Sequence, residues 1–354
     1  MEGIKDMRNT GQVECIRNTG RIEYIESIGH IEGIRRTESG GLMDSAEARW
    51  KRAAVEKAAQ VIFKVCALAA IAAVALITLY MIVSGTPAIG KAGLKNILFE
   101  AEWMPTAAEP KYGILYCVLT SIVGTFLAVL IGMPVGLLAA VFLAEVADRR
   151  VAAVVRPAVE LLAGIPSVIY GLLGMYLLNP LMYKLELKVF AGSDTHQFTG
   201  GANLLSAVLV LAVMILPTMI NISENAIRAV PSSVREASLA LGASYIQTIF
   251  KSVLPAAKPG IVTAAVLGVG RALGEAMAVT LVSGSSVNPP LPFSSVRFLT
   301  TAIVSEMGYS QGTHRQVLFT VGLVLFAFIM LVNIALNRIL KGGAAVDGRK
   351  DTFS

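Results

Sequence analysis

Charged residues are scarce in this chain. Asp, Glu, Lys and Arg make up 15% of its 354 residues, whereas soluble domains carry about 25%. Hydrophobic residues make up 55%, and the mean hydropathy is +0.67. These values exclude an ordinary soluble domain and indicate a polytopic membrane protein.

Cysteine and histidine are equally rare. Cys15, Cys66 and Cys117 stand far apart, so their spacing predicts neither a disulfide framework nor a metal site, and we interpret them as packing residues. The three histidines fall outside the predicted spans, and the motifs HExxH and GxSxG are absent. The sequence therefore predicts no catalytic residue, no bound metal and no enzyme activity in this chain.

A nucleotide site is missing as well, although GTPAIGKA at Gly85 to Ala92 nearly spells a phosphate-binding loop. Ala92 replaces the hydroxyl residue that would hold magnesium, and the segment follows an apolar span instead of a strand. We interpret it as a Gly/Pro turn after the first span. Any ATP and Mg²⁺ must then be bound by a partner, and we expect no cofactor on this chain.

What the sequence has in abundance is apolar stretches of about 20 residues, the length that crosses a bilayer as a helix. They predict an all-α bundle of six transmembrane helices. Pro134, Pro166 and Pro217 lie within these stretches and are candidate helix kinks. The predicted spans are residues 61–83, 113–144, 161–183, 201–223, 259–286 and 317–336.

Basic residues set the predicted orientation, because Lys and Arg near span ends are retained in the cytoplasm. With the amino terminus inside, 21 of the 30 Lys and Arg residues fall in cytoplasmic segments and seven in outer loops. Both termini are therefore expected in the cytoplasm. The net charge of +6 follows from this bias and from anionic lipid, so nucleic acid is not needed as a partner.

The two ends of the chain have their own character. Residues 1–42 contain degenerating nine-residue repeats such as RNTGQVECI and RNTGRIEYI, and we expect them to be disordered. Residues 43–60 form an amphipathic lead-in, and Met43 is a possible functional start. The six-span transmembrane domain is predicted over residues 61–340, and residues 341–354 form a cytoplasmic tail.

One segment between the fourth and fifth spans is charged. REASLALGASYIQTIFKSVLP runs from Arg235 to Pro255, and two capping boxes are predicted, one at Ser233 and one at Ser244. Gly242 suits a left-handed bend between two short helices, and Pro255 is expected to stop the second. The sequence predicts a helix-turn-helix lying in water against a partner.

This segment resembles the EAA loop of ABC importer permeases, whose pattern is Glu-Ala-Ala, Gly, then Ile-x-Leu-Pro. Ser238 and Ser252 replace an Ala and the Ile of that pattern. The resemblance implies a coupling helix, within residues 231–255, that docks in a separate ATPase. The positions that carry this role are Arg235, Glu236, Ala237, Gly242, Leu254 and Pro255.

Two charges fall within the fifth predicted span. Arg271 and Glu275 stand four residues apart in GVGRALGEAMAV, a spacing that predicts one helical face. Each charge costs about 2.5 to 3.5 kcal/mol at the bilayer centre, so both must face the bundle or a wet pathway. An arginine beside a carboxylate suits an anion that brings its own proton, such as phosphate, better than sulfate. A structural ion pair is the alternative.

Three sequence segments indicate a more specific family within these permeases. VELLAGIPSVIYGLLG, LAVMILPTMINISENAIRAVPSSVREASLALGA and GVGRALGEAMAV are similar to PstC-type permeases of bacterial phosphate-specific ABC importers. The resemblance implies phosphate import across the inner membrane by alternating access. It also implies a PstA-type permease, PstB-type ATPases and an extracytoplasmic phosphate-binding protein as partners. A proton-coupled anion transporter and an importer of another oxyanion remain alternatives.

Overall fold

A computed structural model describes residues 55–193 and 195–347. In them, six helices are long and apolar enough to cross a membrane, which confirms the predicted all-α six-span architecture. The repeat segment 1–42, residues 43–54 of the lead-in and residues 348–354 of the tail lie outside the described residues. The spans are Val55–Ala92, Leu115–Val146, Ser167–Val189, Leu204–Arg228, Tyr245–Gly274 and Gly312–Leu336.

The contacts divide the chain into residues 1–77 and 78–354. In the first unit, residues 55–77 form the amino-terminal part of helix α1 (Val55–Ala92), with an exposed apolar surface that suits lipid. In the second unit, α1 continues to Ala92. The expected Gly/Pro turn at Gly85 is therefore wrong. Gly85 packs on the last span, where the Thr320 hydroxyl donates a hydrogen bond to the Gly85 carbonyl at 3.0 Å.

Short elements connect the first two spans. Helix α2 (Leu94–Phe99) precedes an antiparallel hairpin of β1 (Trp103–Met104) and β2 (Lys111–Tyr112), in which Trp103 pairs with Tyr112. Helix α3 (Leu115–Val141) then runs into a π-helical turn, Phe142–Val146. Together they form one 32-residue helix, which is about 48 Å long at 1.5 Å per residue.

The middle of the bundle is helix α7 (Leu204–Arg228), the most buried of the spans. It lies against α3, and Gly132 permits the close approach, because an added Cβ would come within 2.8 Å of Ile215. Apolar side chains of α3 and α7 fill the space between them. Pro134 and Pro217 lie inside these two helices, which continue past them, so a bend at either residue stays a prediction.

The stretch predicted as the third span, residues 161–183, is divided at Pro166, and the span itself begins at Ser167. Helix α4 (Arg149–Gly164) ends at an extended Ile165, and α5 (Ser167–Leu173) begins after Pro166. Pro166 is thus the N-cap residue of a new helix and does not kink an existing one, since proline restricts the preceding residue to extended backbone. The span continues through a π-helical turn, Gly174–Leu178, into α6 (Asn179–Val189).

The remaining helices complete the bundle. Helices α8 (Ser232–Ala240) and α9 (Tyr245–Thr248) lead through the π-helical turn Ile249–Val253 into α10 (Leu254–Gly274). After a break come the short helices α11 (Met277–Val282) and α12 (Leu299–Glu306). The last helix, α13 (Gly312–Asp347), extends past the predicted domain boundary at residue 340.

The two ends of the bundle differ. The end of α3, the start of α4, the end of α7 and the helices α8 and α9 meet at one end, where Arg235 pairs with Glu145. The hairpin, the start of α13 and the end of α12 meet at the other, where Trp103 donates a hydrogen bond to Glu306. This grouping is the one that six alternating spans require, with the EAA-like loop on the side predicted to be cytoplasmic.

Candidate functional site

The EAA-like loop folds into the predicted pair of short helices. Gly242 has a φ of 83°, the left-handed conformation that glycine adopts without a Cβ clash. Ser244 forms the predicted capping box with Gln247. The other predicted capping box is wrong: α8 begins at Ser232, so Ser233 lies inside its first turn, and no side chain caps that end.

Pro255 does not stop the second helix. The chain passes from α9 through a π-helical turn into α10, and Pro255 lies in the first turn of α10. Proline is tolerated there because the first amides of a helix have no intrahelical acceptor, and the wider turn before it accommodates the ring. The EAA-like loop is therefore continuous with the fifth span. Leu254 is partly buried and packs on the core below.

Exposure divides the predicted coupling residues into two groups. Glu236, Ala237, Gly242 and Pro255 are exposed, whereas Arg235 and Leu254 face their own chain. A second set of exposed residues surrounds the bend and was missed from the sequence, although large apolar side chains in a charged loop were its signal. These residues are Leu239, Leu241, Tyr245, Ile246 and Phe250, with Leu241 89% exposed.

Ser238 and Ser252, the two residues that depart from the EAA pattern, are in contact. The hydroxyl oxygens of Ser238 and Thr248 lie 2.9 Å apart, and the Ser252 hydroxyl donates a hydrogen bond to Ser238 at 3.3 Å. Thr248 is buried, with 1% of its surface exposed. A small hydroxyl cluster, Ser238, Thr248 and Ser252, thus joins α8 to the helix that follows the bend.

Arg271 and Glu275 do not share a continuous helical face, which corrects the sequence prediction. Helix α10 ends at Gly274, and Glu275 has extended backbone at φ −75° and ψ 127°. The Thr300 hydroxyl donates a hydrogen bond to the Glu275 carbonyl at 2.8 Å, so a neighbouring helix satisfies a backbone group that the break frees. Broken helices at membrane depth require such partners.

The break stabilises the two charges separately. Arg271 lies in the last turn of α10, where the carbonyl end of the helix dipole favours a cation. One Glu275 carboxylate oxygen accepts a hydrogen bond from the Ala278 amide at 3.0 Å, at the start of α11. No salt bridge joins Arg271 to Glu275 in the part of the chain that the structure describes. A mutually neutralising ion pair is therefore not what the geometry shows.

Open space surrounds the pair. An added Cβ at Gly270 or Gly274 would meet no atom within 4 Å, whereas one at Gly268 would come within 2.7 Å of the Met219 sulfur. The small residues of α10 thus divide into a packed side and an open side. The Arg271 guanidinium donates a hydrogen bond to the Thr218 hydroxyl at 3.1 Å. An apolar groove of about 600 Å³ between α3, α5 and α7 includes neither charge.

At the end of the bundle opposite the EAA-like loop, a buried carboxylate that was not predicted from the sequence connects several elements. Glu306 accepts hydrogen bonds from the Trp103 indole at 3.1 Å and pairs with His314 at 2.7 Å and with Arg297. These partners connect the hairpin, the loop before α12 and the start of α13. His314 lies inside the last span, not outside it as predicted. Their separation in sequence left no local signal.

The family described as "binding-protein-dependent transport system inner membrane component" matches residues 132–343, more than half of the chain. The chain belongs to this permease family. The match covers both the EAA-like loop and the broken helix. As a member, the chain is a transport permease and not an enzyme, and ATP is hydrolysed by a separate subunit.

Individual relatives of the permease are similar over most of their length. The "probable ABC transporter permease protein YqgH" of Bacillus subtilis (strain 168) is 40% identical over 300 residues, covering 82% of this chain and 94% of the relative. The "phosphate transport system permease protein PstC" of Xylella fastidiosa (strain Temecula1 / ATCC 700964) is 34% identical over 298 residues, covering 79% and 91%. The predicted family is thereby confirmed.

A solved structure supports the fold of the permease. The crystal structure titled "bacterial alginate ABC transporter in complex with alginate pentasaccharide-bound periplasmic protein" contains a chain with a TM-score of 0.53. The match covers 73% of this permease and 86% of that chain, at 17% identity. At this identity it shows that the two share a fold and nothing about substrate.

Proposed function

We propose that this permease carries inorganic phosphate across the bacterial inner membrane into the cytoplasm, by alternating access driven by ATP hydrolysis in a partner. The observation that carries the proposal is Arg271 at the broken helix: its guanidinium has a single hydrogen bond, to Thr218, and no carboxylate partner among the described residues. Relatives named as phosphate transport permeases in several bacteria support the same substrate.

The chemistry of the break suits an anion that still carries a proton. Arg271 presents a planar fork with unused N–H donors, which matches two oxygens of a phosphate. The Glu275 carboxylate accepts hydrogen bonds, so a protonated phosphate can donate one to it, whereas sulfate carries no proton to donate and would only be repelled by the carboxylate charge. Since each charge is stabilised by its own helix end, no ion pair between Arg271 and Glu275 has to be broken before the substrate binds.

The proposed partners are those with which permeases of this family work. Importers of this kind use a binding protein, ATPase subunits and a second permease, and we propose a PstA-type permease, PstB-type ATPases and an extracytoplasmic phosphate-binding protein. ATP and Mg²⁺ would bind the ATPase alone. The exposed residues around Gly242 would contact the ATPase, so both termini and the coupling loop would lie in the cytoplasm. Family membership disfavours proton-coupled exchange, while another protonated oxyanion such as arsenate remains the second candidate.

The test uses the complete complex in proteoliposomes. We expect ATP-dependent phosphate uptake that excess sulfate does not inhibit and arsenate does. Arg271→Gln should lower uptake about a hundredfold, the loss expected when one partner of a buried charged contact is removed. Lys258→Gln, which removes an exposed cation from the same helix, is the matched control and should transport normally. Undiminished uptake by the Arg271 and Glu275→Gln variants would count against the proposal.

A further inference from the structure

We infer that Arg235 is a positioning residue that fastens the coupling helices α8 and α9 to the cytoplasmic end of α3, so that ATPase-driven movement reaches α3 directly. The inference rests on the proposed docking of the ATPase around Gly242. It assigns Arg235 a different task from the ATPase contact that the EAA resemblance implies. The alternative route for the movement is α10 alone, which continues from the coupling loop.

Arg235 donates hydrogen bonds to one carboxylate and to two backbone carbonyls. Its Nη2 and Nε groups donate to Glu145 Oε1 at 2.6 and 3.1 Å. Its Nη1 group donates to the Val230 carbonyl at 2.6 Å, and Nη2 also donates to the Ile227 carbonyl at 3.0 Å. An arginine offers five N–H donors in a rigid fork. Most of them are occupied here, which leaves little for a partner protein.

The Glu145 side chain is buried within its own chain. It is 5% exposed, against 23% for that of Arg235. Glu145 lies in the π-helical turn that ends α3, directly after the long uncharged span. Removing Arg235 would leave this carboxylate buried without its charged partner, and this would strongly destabilise the junction, by which we mean the contact of α8 and α9 with the end of α3.

The coupling segment also caps the end of α3. The last carbonyls of a helix lack intrahelical donors and need other partners. Tyr245 of α9 donates its hydroxyl to the Glu145 carbonyl at 2.7 Å, and Arg228 at the end of α7 donates to the Leu143 carbonyl at 2.9 Å. The end of α3 is thus completed by side chains from α7 and α9.

A second acid extends the junction. Glu224 of α7 pairs with Arg156 of α4 at 2.7 Å and with Arg228 at 2.9 Å. Beneath both acids lies one apolar core that includes side chains from α3, α7, the turn after α9 and α10. Polar links and apolar packing therefore join α3, α4, α7 and the coupling helices into one unit. A push on that unit moves α3 and α7 together with α10.

The test is a double-mutant cycle on the full complex in proteoliposomes, with phosphate moved per ATP hydrolysed as the readout. Arg235→Gln and Glu145→Gln should each lower this ratio about tenfold, within the usual range of coupling between sites. The Arg235→Gln/Glu145→Gln double variant should be no worse than either single variant, because both remove one link. All three should retain the ATPase on purification. Lys258→Gln, which removes an exposed cation from α10 outside the EAA-like loop, is the matched control.

Other outcomes overturn the inference. Additive effects of the two substitutions, a silent Glu145→Gln, or loss of the ATPase from Arg235→Gln alone would assign Arg235 to the docking surface. If both variants lose the ATPase, Arg235→Lys decides: an intact complex with an intermediate ratio supports the link, and an unchanged ratio contradicts it. A wild-type complex that does not couple ATP to phosphate would refute the proposed function itself, which is a separate result.

Discussion

The hydroxyl cluster in the EAA-like loop leads to a quantitative prediction. Two of its members, Ser238 and Ser252, stand where the EAA pattern has an Ala and an Ile. Ser238→Ala removes the contacts at 2.9 Å to Thr248 and at 3.3 Å to Ser252. It leaves the Thr248 hydroxyl, in a side chain that is 1% exposed, without that partner. A buried hydroxyl left unpaired costs about 1 to 3 kcal/mol, whereas replacing both partners by apolar groups of similar shape is nearly neutral.

Hydrogen exchange of the α8 amides measures this cost, because local opening of the helix sets their exchange rate. A loss of about 1.4 kcal/mol in the opening free energy makes exchange about tenfold faster. We therefore expect α8 in Ser238→Ala to exchange about tenfold faster than in the wild type, and Ser238→Ala/Thr248→Val to recover most of the protection. The amides of α7 serve as an internal control, since the substitutions leave that helix untouched.

Two results would refute this reasoning. One is an α8 exchange rate in Ser238→Ala equal to that of the wild type, which would mean that the cluster contributes nothing to the junction. The other is a double variant that exchanges faster than Ser238→Ala, because the unpaired Thr248 hydroxyl would then not be the cause of the loss.

Three further predictions follow from other parts of the molecule. Gly171→Ala should destabilise the bundle by about 1 to 3 kcal/mol in thermal unfolding, because the new Cβ would lie 2.8 Å from a backbone atom of Ala278; Gly270→Ala, which meets open space, should unfold like the wild type. Leu241→Ser should weaken ATPase copurification without changing thermal stability, since Leu241 is 89% exposed; retained copurification would contradict the docking surface. Glu306→Gln should lower the unfolding temperature, measured in detergent, by weakening the pairing with Arg297; an unchanged temperature would show that the carboxylate does not hold the hairpin.

Sequence alone predicted the features that depend on local chemistry. The left-handed bend at Gly242 and the capping box at Ser244 were correct because each is determined by a few adjacent residues. The number of spans was correct because apolar length is a property of the stretch itself. The capping box predicted at Ser233 was wrong because α8 begins directly after Pro231, two residues earlier than the capping pattern indicates.

Features that depend on distant partners were not predictable. The break at Glu275 is held by Thr300, and the end of α3 by Arg235, 90 residues away from Glu145. A helical spacing of four residues assumes an unbroken helix, and nothing near Arg271 shows that a neighbour satisfies the freed backbone. Pro255 was likewise expected to end a helix, although a π-helical turn before it accommodates the ring.

The central claim is that a partner's ATP hydrolysis drives phosphate past Arg271. The most direct measurement is uptake of radiolabelled phosphate by the reconstituted complex in vesicles whose proton gradient has been collapsed. The account predicts uptake that requires ATP and falls about a hundredfold in Arg271→Gln while the ATPase stays bound. Uptake without ATP, or uptake that Arg271→Gln leaves unchanged, would contradict it.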